Sequence, residues 1–160
     1  MGGVIFAFIA DYILAKKYLS ITNVRRVFNS ICMIGPAIVM FILAFPPAGM
    51  ECSVASTIGL LCIGMFMNGA LTSGHFAAPG DIAPNYAGTI MGLSNTVSGG
   101  TMSYSVPVIV GAITYQNQTF GAWTIIFSIA TIAYTVTNTL YCFMISGEIQ
   151  DWNDQVKFKL

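Results

Sequence analysis

The sequence predicts an all-α integral membrane protein, on three observations. Hydrophobic residues fill 56% of its 160 positions and charged residues 8%, where an ordinary soluble domain carries about 25% charged residues. No Lys, Arg, Asp or Glu occurs from position 27 to 50, from 52 to 80, or from 82 to 147. A helix needs about 20 apolar residues to cross the hydrocarbon of a bilayer, so the first two runs hold one span each and the third holds two joined by a turn. Positions 4–14 add a shorter apolar piece, read as the remaining end of a longer helix and not as an interfacial segment. It lacks the basic start and small-residue cleavage site of a secretory signal. The reading is five spans, with the lipid bilayer as their partner.

The first span, positions 2–15, carries Asp11 near its end, and Lys16, Lys17, Arg25 and Arg26 follow. The bias of basic residues toward the cytoplasm places that turn on the cytoplasmic side. The second span covers positions 27–45, with Gly35-Pro36 as a kink that neighbouring helices support, and it stops at Pro46-Pro47. The loop with Glu51 holds no basic residue and belongs outside or in a lumen. The third span covers positions 53–77 and returns to the cytoplasm at 79–85; the fourth covers 86–115, bent at Gly99-Gly100 and Pro107. Asn117-Gln118-Thr119 then forms a glycosylation sequon in a loop that the topology independently places outside. A fifth span over 120–145 ends at Gly147, leaving a tail with Lys157 and Lys159. Positions 1–147 are thus the membrane helical region and 148–160 a short cytoplasmic tail. Tyr12, Tyr18, Tyr86, Tyr115, Trp123 and Trp152 stand at segment ends, where aromatic rings suit either an interfacial belt or ordinary packing.

The same composition excludes several functions. Net charge is zero, so nothing suggests nucleic acid as a partner. Cysteines at 32, 52, 62 and 142 show no C-x-x-C spacing and read as packing residues, Cys52 alone lying in an outer loop. One histidine and no suitably spaced carboxylates leave no metal site, no hydrolytic centre and no cofactor to expect. The chain is not read as an enzyme.

Candidate functional residues cluster around D-I-A-P-N-Y-A-G-T-I-M-G-L-S-N-T at positions 81–96. Asp81 is placed to cap free helix N–H groups and Pro84 suits a first helical turn. Gly88 and Gly92, four apart, offer a face for close helix approach. Asn95 falls roughly 13 Å into a helix starting near Tyr86, where a carboxamide needs a partner. Thr89, Ser94, Thr96, Ser98, Thr101, Ser103 and Ser105 make this span rich in hydroxyls. Such groups face protein or a water-filled cavity, so they serve either interhelical hydrogen bonds or a ligand. Thr72, Ser73 and His75 form the natural opposing wall. His75 is able to shuttle a proton, although a lone histidine near a helix end more often only makes a hydrogen bond. Asp11 pairs with Arg25 or Arg26 across two helix ends, or else is a solvated interfacial carboxylate.

Three motifs together resemble one known family: A-D-Y-I-L-A-K-K-Y-L-S-I-T-N-V-R-R at 10–26, the 81–96 stretch, and W-T-I-I-F at 123–127 with G-E-I-Q-D-W at 147–152. They are similar to the anion:cation symporter branch of the major facilitator superfamily, which includes sialin, vesicular glutamate transporters and inorganic phosphate cotransporters. The resemblance implies a fold of twelve helices in two halves, of which this chain matches the eighth (in part) through the twelfth. It implies a C-terminal fragment whose missing partner is the N-terminal half. It also places Asp11, Arg25 and Arg26 in a cytoplasmic motif that holds one face closed, and Ser73 and Asn95 at cavity-lining positions that touch an anionic substrate. Two departures stand out. Family members commonly have an Asn-His pair shortly before the Asp-Ile-Ala-Pro turn, where this chain has Ala78-Pro79, and His75 stands where an aromatic is usual.

The function this implies is part of a secondary active symporter for inorganic phosphate or small organic anions, coupled to Na+ or H+, working by alternating access in a plasma, vesicular or lysosomal membrane. The other class of reading is a non-transporting multi-span scaffold or a regulator of a full-length transporter.

Overall fold

Helix α2 (Ile21–Ala44) is the axis of the fold, and every other large packing contact but one is made on it or beside it. The computed structural model describes residues 2–47 and 53–154, which are helical throughout apart from turns and short connections. The helices are α1 (Gly2–Ala15), α2, α3 (Val54–Asn68) with a 3-10 turn at Gly69–Thr72, the short α4 (Ala78–Ile82), α5 (Ala87–Thr114) and α6 (Phe120–Met144). Four stretches are long and apolar enough to cross a membrane: Ile21–Ala44, Val54–Thr72, Pro84–Thr114 and Phe120–Met144. The short apolar α1 adds to them, as the sequence predicts.

Hydroxyl side chains start three of the long helices. Ser20 accepts a hydrogen bond from the Asn23 N–H (3.3 Å), Ser53 from Ser56 (3.2 Å) and Thr119 from Ala122 (3.4 Å), each satisfying a donor that has no partner inside its helix. The Ser20 cap explains why α2 begins six residues ahead of the expected position 27. Apolarity marks where the hydrocarbon begins, whereas a helix runs on through Thr22, Asn23, Arg25 and Arg26 once it is capped. Toward the other end, α3 stops at Asn68, short of the expected 77, and the chain tightens into the 3-10 turn and a run of turns through 77. Thr119 has a second task in the sequon loop, where its hydroxyl donates to Asn117 Oδ1 (2.9 Å). Glu51, Cys52, Lys157 and Lys159 lie outside the described residues.

The apolar core sits where α1, α2 and the 3-10 turn meet. Ala10, Val24, Phe28, Cys32 and Ala70 are buried there, with Phe6, Ile13 and Leu71 packed against them. Close approach is set by glycine: a Cβ on Gly69 would lie 2.6 Å from the Gly3 backbone nitrogen, and one on Gly35 would lie 2.9 Å from Met67 Cβ. On its opposite side α2 packs along α6. Thr124 and Thr131 of α6 donate to the Phe120 and Phe127 carbonyls of their own helix and also reach the Ala44 and Ala37 carbonyls of α2 (both 3.4 Å). Helix α5 stands apart. None of its residues is buried, and its contacts are with α4, the 84–86 turn and α6.

Candidate functional site

Buried polar side chains gather at the end of α2 that follows the basic turn. Arg25 is 8% exposed, and its guanidinium is held on three sides: Nε and Nη2 donate to the two carboxylate oxygens of Asp81 (2.5 and 3.1 Å), and Nη1 donates to the Ser73 carbonyl (2.8 Å). A planar guanidinium matches a carboxylate in this two-pronged way, which gives direction as well as attraction. One turn further along α2, Asn29 is 1% exposed and joins two other elements. Its Nδ2 donates to Asn138 Oδ1 of α6 (2.9 Å), and its Oδ1 accepts from His75 Nδ1 (3.3 Å). Because an amide oxygen only accepts, His75 carries its proton on Nδ1. Burial pushes the His75 imidazole below its ordinary value of 6.5, which favours the neutral ring. Asn138 Nδ2 then donates to Ser30 Oγ (3.3 Å), which lies 3.6 Å from Cys142 Sγ. The ring of Tyr141 stands edge-on to His75 with centroids 6.5 Å apart.

The geometry ties α2, the 73–77 turn, α4 and α6 into one unit through neutral amides and one ion pair. Among the described residues no group of three or more His, Cys, Asp or Glu side chains is placed to hold a metal ion.

No protein-family model matches the chain. Individual proteins do. It is 30% identical over 148 residues to a Drosophila ananassae protein named as an inorganic phosphate cotransporter, covering 91% of this chain and 30% of that protein. It is 34% identical over 144 residues to sialin of Homo sapiens, covering 89% and 28%, and 35% identical over 147 residues to vesicular glutamate transporter 3 of Danio rerio, covering 91% and 24%. The chain is similar to transporters of the anion:cation symporter family of the major facilitator superfamily over about nine tenths of its own length. These relatives are transporters and not enzymes, and the chain spans 24% to 30% of their length.

Against that family background the sequence-predicted residues fall into two groups. Arg25 and Ser73 belong to the cluster, but their roles differ from those expected. Arg25 takes Asp81 as its counter-ion, so the expected pairing of Asp11 with Arg25 or Arg26 does not occur. Asp11 is exposed, and among the described residues the one ion pair is Arg25 with Asp81. The physical reason is reach: Asp11 points outward from α1, while the turn after Gly69–Thr72 brings Asp81 onto the buried face of α2. Asp81 therefore caps nothing. It lies inside α4, and a break at Ala83 separates it from α5. Arg26 is half-buried, and its Nε is buried without a hydrogen-bond partner among the described residues. Ser73 is 4% exposed and contributes its backbone carbonyl.

Asn95, Gly88 and Gly92 form the second group. Asn95 lies about 12 Å along α5 from Ala87 at 1.5 Å per residue, is exposed, and makes no side-chain hydrogen bond among the described residues. No hydrogen bond joins it to Thr72, Ser73 or His75. A Cβ built on Gly88 or Gly92 meets nothing within 4 Å, so the close approach expected there does not arise among the described residues. It arises instead at Gly69, Gly35 and Gly74. Asn29 and Asn138 are what the sequence reading missed. The signal was present, since each is a carboxamide in an otherwise apolar span, the criterion that selected Asn95.

Proposed function

We propose that this chain supplies five helices of a cation-coupled secondary transporter for small anions, inorganic phosphate or small organic acids, working by alternating access. Similarity to these transporters makes this the favoured class, and the contrast between α5 and the rest of the bundle gives it a mechanism. In a bilayer, exposed amides and hydroxyls are costly unless they face protein or water. Helix α5 leaves Asn95, Ser94 and Ser98 exposed along its length and without side-chain partners among the described residues, and this is the observation that carries the reading. On it, α5 borders the solute path and Asn95 donates from its amide to the anion. The Arg25–Asp81 pair latches the cytoplasmic face, with Ser73 serving the latch through its carbonyl and meeting solute only when the latch opens. Midplane binding between rocking repeats is how this architecture transports, and the other half of the pathway comes from helices outside these residues. Na+ or H+ is the coupling ion, the basic turn and the tail face the cytoplasm, and the membrane is plasma, vesicular or lysosomal.

Uptake of radiolabelled phosphate and of glutamate by the complete gene product, with and without a sodium gradient, tests this. Uptake that falls at least about tenfold in Asn95→Ala at normal membrane abundance, a loss of at least one 1.4 kcal/mol step in solute or transition-state binding, is the expected result. Unchanged uptake would remove Asn95 from the path, and no uptake of any anion by any form containing this chain would favour the scaffold or regulator.

A further inference from the structure

The last described residues are tied to the two helices that carry the partners of the ion pair, α2 and α4, and to the linker that follows α4. The Gly147 N–H donates to Thr22 Oγ1 (2.9 Å) in the first turn of α2, three residues before Arg25. A Cβ at 147 would lie 2.7 Å from the Thr22 nitrogen, so only glycine lets the chain pass this close. The Gln150 N–H then donates to the carbonyl of Ile82 (2.9 Å), the residue after Asp81. Asn153, 7% exposed, completes the attachment: its Oδ1 accepts from the Asn85 N–H (3.1 Å), and its carbonyl accepts from Asn85 Nδ2 (3.0 Å). The rings of Trp152 and Tyr86 meet at a tilt, with centroids 6.0 Å apart.

These bonds answer a local need. The break at Ala83 between α4 and α5 leaves the Ile82 carbonyl and the Asn85 N–H without helical partners, and backbone groups of that kind are satisfied either by water or by another part of the chain. Residues 150 and 153 satisfy them, while Gly147 anchors the same segment to the helix that carries Arg25. We propose that residues 147–154 form a strap whose docking is energetically coupled to the Arg25–Asp81 pair, so that strap and ion pair open and close as one cooperative unit. Separating Asp81 from Arg25 moves the 82–86 linker away from α2 and pulls the strap's two anchors apart. Releasing the strap returns the broken linker to water and removes the restraint that holds Asp81 in register. The claim concerns this chain's own equilibrium and stands apart from the transport reading.

Hydrogen exchange on the 160-residue chain in lipid nanodiscs tests it in both directions. Trp152→Ala, a half-exposed position whose loss spares the core, perturbs the strap; Arg25→Lys keeps the charge but loses the two-pronged geometry, and so perturbs the pair mildly enough to fold. The expected result is reciprocal: Trp152→Ala speeds exchange of the Arg25 side-chain N–H groups, read by NMR, and of the Asn85 amide, and Arg25→Lys speeds the amides of Gly147, Gln150 and Asn153, each by at least about tenfold. If either change stays confined to its own segment, the strap is a separately docked tail and the coupling is absent.

Discussion

Helices α5 and α6 have similar composition and opposite circumstances. Both are long, apolar and sprinkled with Thr, Ser and one Asn. In α6 the hydroxyls of Thr124, Ser128, Thr131, Thr135 and Thr139 return to carbonyls of their own helix, and Asn138 is buried against α2. Among the described residues of α5 only Thr96, Thr101 and Thr114 make such return bonds, and Asn95, Ser94, Ser98 and Ser103 are exposed. A carboxamide inside a membrane helix is therefore not in itself a sign of a ligand. What distinguishes the two helices is whether a neighbouring helix has already used it.

The contrast is broken most severely at the ion pair. Arg25→Ala leaves the Asp81 carboxylate, 18% exposed by side chain, without its cation, and should cost about 3–5 kcal/mol, seen as a lowered unfolding temperature in nanodiscs. The double variant Arg25→Ala with Asp81→Ala should recover part of that loss, because the penalty comes from stranding one charge. Glycine sharpens the contrast next. Gly69→Ala drives a methyl into the Gly2–Gly3 backbone and should destabilise by about 1–3 kcal/mol, whereas Gly92→Ala, with open space around it, should be neutral or stabilising by up to about 1 kcal/mol through helix propensity. Asn138→Ala should cost about 1–2 kcal/mol by removing the acceptor of Asn29. The same change at Asn95 should shift stability by less than about 0.5 kcal/mol, both read from the same melting curves.

What the sequence made legible was what depends on composition over long stretches. The uncharged runs predict the spans, and Pro46-Pro47 and Gly147 lie near the observed ends of α2 and α6, whereas Asp81, the expected cap, sits inside α4. Partners across the chain were not legible. The resemblance sets Asp11 beside Arg25 and Arg26 in one cytoplasmic motif, but the fold brings Asp81 to Arg25 from fifty-six positions away, through the turn that ends α3 early. Asn29 and Asn138, 109 positions apart, meet only because α2 and α6 pack along their lengths. Nor did the G-E-I-Q-D-W motif announce its use: that Gly147 must be a glycine follows from Thr22 lying against it, a contact with no trace in local sequence.

Thiol accessibility measures directly whether α5 faces water where α6 packs on protein. In the complete gene product with its native cysteines replaced, Cys introduced at Asn95 should react with a charged, water-soluble thiosulfonate, and the anion transported should slow the reaction, while Cys at Asn138 should stay inert. A Cys at 95 that ignores the charged reagent and reacts only with a lipid-soluble maleimide would place Asn95 against lipid and contradict the account.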